Sequence, residues 1–517
     1  MNTINTLIGK YIRDLYSNKS DSREVVIRTV MIVLLFILSV LSVYVFPIGL
    51  SKLIFLIFFI LFWFSSKDYF WFAFFFIITL TPAGFFQETA SDVVRRLPLI
   101  SIVPKASLSV MDLFLILSLI KAYVKGKRIK IRDVLGIKYI FYFAIILSVV
   151  TLFHGISLKT FIGQPLRGLF FYTIFFSFPS LVYKRKDIAK FFYLFFPFVF
   201  LEVFSQGFLL YTGEYMQNSL FPDISLYVFR DKLMEESIRS LAPGYSIVVL
   251  SFIFSLVLYD SVDRMSSKVY LIIIMLLGSL SMFISATRQS ILMFALMFVL
   301  YVIFVSKNKG GFLVQFSIIM VVMFLVFDFF NLLNLNFTLT AVFNRLTGAI
   351  QIQNGSLEAE DTLDYRLSYR LPLLWNYIKQ SIIFGYGYSD NYFKYYDGHI
   401  GGIMVAMLQA GIAGLIFYTL YVVRIYKVTI FYVKKFGDKN TVTNPLKSLL
   451  VGMSGFVLLN TFINPMLVLN FSWRPQEFFI VLVLLHQYLN FGKKEYFARK
   501  KLSETNIKSE RSTIFQV

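Results

Sequence analysis

The chain contains no cysteine. Disulfides and thiolate-ligated zinc are therefore excluded, and either redox compartment is open to it. Charge is scarce: Asp, Glu, Lys and Arg make up 15% of the residues, against about a quarter in a soluble domain. Acidic residues are scarcer than basic ones, 29 against 50. Histidine occurs three times, at His154, His399 and His486. No pair of histidines or carboxylates on a predicted outer face has metal-ligand spacing. There is no Walker-type glycine loop and no dinucleotide fingerprint, so energy from cytoplasmic nucleotide is not indicated and no cofactor is expected. A removable signal peptide is not expected either, because the N-terminal stretch lacks a short apolar core followed by a small-residue cleavage site. No internal repeat is visible.

Apolar side chains fill the space left by charge. The hydrophobic fraction is 57% and the aromatic fraction 19%. The apolar runs are continuous rather than alternating, which argues for helices and against barrel strands. About fourteen spans of about 20 residues would use about 280 positions, leaving room for one sizeable loop. The expected fold is all-α: a polytopic transmembrane helix bundle with one long periplasmic loop. A net charge of +21 would suggest nucleic acid in a soluble protein. Here the Lys and Arg residues lie in short loops on one predicted side, so topology explains much of it and no nucleic-acid partner is expected.

The basic clusters order the chain. Residues 1–28 read as a cytoplasmic N-terminal segment, 29–491 as the transmembrane domain, and 492–517 as a cytoplasmic basic tail. Lys125 to Arg132, Lys184 to Lys186, Lys307 with Lys309, and Arg424 to Lys435 each follow an apolar run and mark the cytoplasm. Spans six and seven are expected near 166–183 and 188–211, spans nine and ten near 269–284 and 290–305, span twelve near 402–421 and span fourteen near 474–489. Both termini come out cytoplasmic, and the loop 334–398 comes out periplasmic.

The richest polar stretch runs from Asp361 to Leu415. Arg366 and Arg370 fall on one face if that segment is helical. Arg366 has Asp361 and Asp364 as alternative ion partners, and Pro372 can start a new helix that leaves Arg370 just before it. Leu373 to Ile378 then supplies an apolar stripe for packing on the bundle. Gly385-Tyr386-Gly387 and His399 follow. A lone histidine is more often structural, but this one sits where the loop re-enters the membrane, among Gly398, Gly401 and Gly402, and can serve proton transfer. Arg288 lies in a very short outer turn with Ser285, Thr287, Gln289 and Ser290; it is either an interface anchor or a phosphate ligand, and an outer-side cation against the charge bias favours the ligand. Arg167, between Pro165 and Gly168 at the start of a span, is open to the same two readings. Asp112 and Glu202 are membrane-embedded acids of the kind transporters use. His486 reads as packing.

Taken in order, these elements resemble the bacterial O-antigen polymerase and O-antigen ligase superfamily. Ser285-Ala286-Thr287-Arg288-Gln289-Ser290 stands at a span junction before the long outer loop. Arg370 to Trp375 is similar to the family's Arg-then-Trp element, and Ile382 to Gly387 to its apolar-then-Gly-x-Gly element. His399 followed by Gly411-Ile412-Ala413-Gly414-Leu415 is similar to its re-entry element, with Ile400 where the family usually has Asn. Pro165-Leu166-Arg167-Gly168 resembles an upstream arginine element, and Arg239 before Pro243-Gly244 is a fainter match.

The resemblance implies a metal-independent glycosyltransferase of GT-C-like architecture in the bacterial inner membrane. Its donor would be an oligosaccharide on undecaprenyl diphosphate, and its acceptor a second such repeat unit. Arg167 and Arg288 would hold the departing diphosphate, Arg366 and Arg370 would bind substrate from the loop, and His399 would be the general base. The span number and extra outer loops favour a polymerase, with a ligase acting on lipid A-core as the alternative. A flippase of the same glycan is a third reading, supported by Asp112 and Glu202. Membrane lipid is an expected partner, and a chain-length regulator is compatible with the polymerase.

Overall fold

The computed structural model describes residues 19–44, 46–65, 67–79, 97–103, 106–125, 135–161, 172–212, 245–284, 288–329, 366–395, 402–438, 440–462 and 475–514. These are overwhelmingly helical. The helices are α1 (Lys19–Tyr44), α2 (Ile48–Ser65), α3 (Asp68–Thr79), α4 (Val110–Val124), α5 (Ile137–His154), α6 (Leu158–Phe161), α7 (Ile174–Leu181), α8 (Arg185–Tyr193) and α9 (Phe196–Thr212). The second half carries α10 (Tyr245–Tyr259), α11 (Met265–Ile284), α12 (Arg288–Phe304), α13 (Lys309–Phe329), α14 (Leu371–Gln380), α15 (Asp390–Tyr395), α16 (Gly402–Phe436), α17 (Thr443–Phe462) and α18 (Pro475–Ile514).

Among the described residues, four helical stretches are long and apolar enough to cross a membrane: Arg23–Ser42, Arg185–Phe208, Met265–Ile284 and Gly402–Phe436. Six further apolar helices are shorter. Large apolar side chains stand exposed along α1, α2, α5, α12 and α13, the surface expected of a helical membrane protein, whose outer residues meet lipid rather than water.

The expectation of an all-helical chain is corrected in one place. Strands β1 (Pro98–Val103) and β2 (Ala106–Ser109) pair antiparallel before α4. β2 ends directly on the α4 cap. The Ser109 hydroxyl and backbone N–H both donate to one Asp112 oxygen, at 2.7 and 2.9 Å, and Asp112 N–H donates back to the hydroxyl at 3.3 Å. Asp112 is thus the third residue of a capping box, a structural task for one of the two membrane-embedded acids.

The core is aromatic. Every residue of α3 from Tyr69 to Thr79 is buried, as a helix apolar on all sides must be. Phe75 stacks on Phe59 at 4.4 Å and on Phe114 at 5.0 Å, and the Trp71 indole N–H donates to Ser118 at 2.7 Å. A second stack, Phe192 on Phe254 at 4.1 Å, joins α8 to α10.

Polar contacts join helix ends that the charge pattern places on one side. Glu24 accepts from Tyr69 at 2.8 Å and from Lys190 at 2.5 Å. Asp68 meets Lys121 at 3.3 Å and also pairs with Lys125. Arg185 reaches Thr441, which in turn donates to Glu495. The opposite ends meet each other as well: Ser246 at the start of α10 donates to Glu477 at the start of α18, and Gln206 donates to the Ser281 carbonyl.

Two spans differ in detail from the sequence reading. Of span six, residues 172–183 are described, and they carry α7 with Pro179. Span seven is two helices, with Pro197 in the first turn of the second, where its missing N–H costs nothing. The tail set apart at residue 492 continues as the same helix to Ile514.

Candidate functional site

The loop and the helix after it are joined by a backbone exchange. Helix α16 is interrupted at Gly411, whose φ of 60° and ψ of −155° are not helical. An α-helix would have Ile412 N–H donate to Leu408 and Ala413 N–H to Gln409. Instead Ile412 donates to the Ile382 carbonyl at 2.9 Å and Ala413 to Ile383 at 3.2 Å. The carbonyls thus released accept from the same loop: Leu408 from Tyr386 N–H at 3.0 Å and Gln409 from Gly387 N–H at 2.7 Å. The two helical bonds given up are replaced by four to the segment 382–387. A buried break in a helix survives only when its backbone groups are satisfied in this way.

Glycine makes the approach possible. A Cβ on Gly411 would lie 2.3 Å from the carbonyl carbon and oxygen of Ile383, and one on Gly385 would lie 2.5 Å from the Ala410 nitrogen. Both residues, and Gly387, have positive φ, which side-chain-bearing residues rarely adopt. The Gly385-x-Gly387 and Gly411 elements noted as separate motifs are therefore two halves of one joint.

On this joint stands α14. Leu374 and Ile378 are buried against Tyr386, Tyr392, Val405 and Leu408. Tyr377 stacks on Tyr395 at 3.8 Å, and the Tyr386 hydroxyl donates to the Tyr377 carbonyl at 3.0 Å. Directly before α14 the backbone makes a π-helical turn over Arg366–Arg370, a rare form that concentrates at functional sites. Arg370 is the N-cap residue, and a proline occupies the first turn behind it, as Pro372 suggested. The pair is thus presented by a wound turn on a braced helix. Arg370 is half-buried, while the side chain of Arg366 lies outside the described residues.

Helix α5 braces the joint from the other side. A Cβ on Gly387 would meet Thr151 Oγ1 at 2.5 Å, and that oxygen accepts from Tyr388 N–H at 2.6 Å. Beyond it, Asp390 accepts from the Ser157 N–H at 3.0 Å and the Ser157 hydroxyl at 3.2 Å. Hydrogen bonds from Thr160 and Ser157 hold the Asp390 carboxyl below the usual carboxylate range. The exposed His154 ring sits 5.1 Å from the Tyr386 ring.

Three polar groups are buried in the largely apolar interior behind the joint. Gln409 is fully buried, and its amide has no hydrogen-bond partner among the described residues; the same holds for the Tyr388 and Tyr421 hydroxyls. Tyr172 is an electrostatic neighbour of both tyrosines. Burial pushes the Tyr388 phenol well above its ordinary value, so it stays neutral. Orphaned polar ends of this kind are few in native proteins and mark a place worth explaining.

The predicted site residues divide accordingly. Arg366 and Arg370 share the π-turn, and Arg288 is the first residue of α12, its side chain outside the described residues. Arg167, Arg239 and His399 also lie outside them. Glu202 is fully buried on α9, one turn before Gln206. His486 is a packing residue, as expected, with its Nε2 3.0 Å from Asn490 Nδ2. Sequence reasoning missed Thr151, Ser157 and Asp390, and gave His154 no role. Their partners lie more than two hundred positions away in the chain, and nothing local signals such a pairing.

The comparisons with known proteins bear on the second half of the chain. Residues 273–418 match the family model described as O-antigen ligase. The match is less than a third of the chain; it takes in Arg288, the π-turn, both glycine elements and His399, and leaves out Arg167. No curated protein matches the chain.

Proposed function

From the match of residues 273–418 to the O-antigen ligase family model, together with the resemblance to the O-antigen polymerase and ligase superfamily, we propose that this chain is an O-antigen polymerase. The family carries a glycosyl-transferring activity. The finer reading is that one undecaprenyl-diphosphate-linked oligosaccharide is the donor and a second the acceptor, at the outer face of the bacterial inner membrane, without a metal. The acceptor hydroxyl oxygen forms a bond to the donor's anomeric carbon. The bond from that carbon to the phosphate oxygen breaks, and undecaprenyl diphosphate departs with the electron pair. His399 takes the hydroxyl proton. Arg288 and Arg167 stabilise the charge that grows on the diphosphate, and Arg366 and Arg370 hold the glycan or its diphosphate from the loop. Both termini are cytoplasmic in this reading, and a chain-length regulator is a compatible partner.

The observation that supports it most is the joint at Gly411. Loop-borne arginines are useful to a leaving diphosphate only if they are held, since catalysis by charge depends on donors fixed before the reaction. The exchange of four backbone hydrogen bonds ties the segment after α14 to the helix that follows His399, and α14, which carries the Arg366–Arg370 turn, packs on that helix through Leu374 and Ile378.

The test is reconstitution in nanodiscs with the host's lipid-diphosphate-linked repeat unit. A ladder of products from wild type is expected. Arg288→Ala should lower the rate by about 10²-fold or more, and His399→Ala by about 10²–10⁴-fold, with folding unchanged by thermal melt. The matched model's own description favours a second reading, ligase. A single transfer step seen only when lipid A-core is added would establish that reading instead. No transfer to either acceptor by folded protein would sink both and favour a flippase.

A further inference from the structure

The segment after α14 is apolar where an extramembrane loop should be polar. Ile383 is 58% exposed and Phe384 55%, and Ile382 beside them is also exposed. These three residues belong to the hydrogen-bonded joint, with the Ile382 and Ile383 carbonyls held by Ile412 and Ala413. Their exposure is therefore that of a fixed structure, not of a loose end. We propose that Ile382-Ile383-Phe384 is a wedge immersed in the acyl chains of the bilayer, which anchors the arginine-bearing loop at a set depth.

The depth follows from what surrounds it. Ile412, bonded directly to Ile382, opens an exposed apolar stripe on α16 that continues through Ile416. That helix is a candidate membrane span, so the wedge is continuous with a lipid-facing surface. On the other side, Gly387 packs on Thr151 of α5. The next residues of α5, Leu152 and Phe153, are 83% and 86% exposed, which suits lipid and not water. Polar residues close the patch above: His154 ends α5, and Lys379 and Gln380 end α14, all three exposed. The change from apolar to polar thus falls at the ends of two neighbouring elements, α5 and α14, as at a hydrocarbon boundary. A cationic Lys379 at that level suits headgroup phosphate.

The absence of cysteine makes the test direct. Ile383→Cys and Phe384→Cys each place one nitroxide label on the full chain in nanodiscs, and collision rates are read with oxygen, which concentrates in acyl chains, and with a nickel chelate, which stays in water. Ile416→Cys is the lipid reference and Lys186→Cys, in an exposed basic cluster, the water reference. Both wedge labels are expected to match Ile416, with oxygen collisions several-fold more frequent than nickel. Labels that match Lys186 overturn the proposal. Labels shielded from both agents overturn it too, because a second protein surface would then cover the wedge. No substrate enters the measurement, so its outcome stands apart from the glycosyl-transfer reading.

Discussion

At the residue scale, Gly411 is the position with least freedom. Its φ of 60° and ψ of −155° lie in a region nearly restricted to glycine, where another residue costs on the order of 1–3 kcal/mol. Its Cβ position is also filled by the Ile383 carbonyl. Gly411→Ala is therefore expected to lower the thermal midpoint in detergent and to release the loop, seen as faster hydrogen exchange at Tyr386 and Gly387. A variant with an unchanged midpoint and unchanged exchange would contradict the joint. Asp390 gives a second, smaller test with a defined sign. Its carboxyl is held below the usual range in the folded protein, so its stabilisation is complete above the unfolded value of about 3.9 and is lost as pH falls through the lowered one. Asp390→Asn should lower the midpoint slightly at neutral pH. The gap should begin to close near pH ~4 and vanish in more acid buffer. The gap will be small because the carboxylate is exposed and such contacts are weak in water.

At the scale of elements, α14 is the lever that carries the arginines. Leu374 and Ile378 are its buried contacts, and removing such a side chain costs about 2–5 kcal/mol. Ile378→Ala is expected to expose the segment from Arg366 to Tyr395 to limited proteolysis while α10, α11 and α17 stay protected. Cleavage spread evenly over the chain would mean that α14 is part of the common core instead. Much of this element was legible in sequence: Pro372 announced the helix start, and the apolar stripe from Leu373 to Ile378 announced a packing face, of which Leu374 and Ile378 are buried and Leu373 is exposed. The π-turn was not, because an insertion into a helical ladder leaves no mark in periodicity. The pairing of Gly385-x-Gly387 with Gly411 was hidden for a different reason. Each motif is locally a glycine that permits positive φ, and only the fold shows that one satisfies the backbone of the other. The β-hairpin before α4 escaped because its strands, Pro98–Val103 and Ala106–Ser109, are too short for an alternating pattern to stand out.

At the scale of the whole molecule, the charge pattern anticipated which helix ends share a side. Glu24, Tyr69 and Lys190 come from three separate apolar segments and converge; Ser246 and Glu477 converge at the other ends. Basic residues are retained where they need not cross the bilayer, so their spacing along the chain records sidedness even where helix lengths do not. Which side is the cytoplasm is a separate matter, and it decides whether a periplasmic glycan can reach the loop at all. In a chain without cysteine, Lys379→Cys and Ser157→Cys are expected to react with a membrane-impermeant maleimide in cells whose outer membrane alone is opened. Lys186→Cys and Lys447→Cys, beside the basic clusters, are expected to react only after lysis. The reverse pattern would place the Arg366–Arg370 turn in the cytoplasm, away from lipid-linked glycans on the outer face, and the transfer reaction proposed above would fail on topology alone.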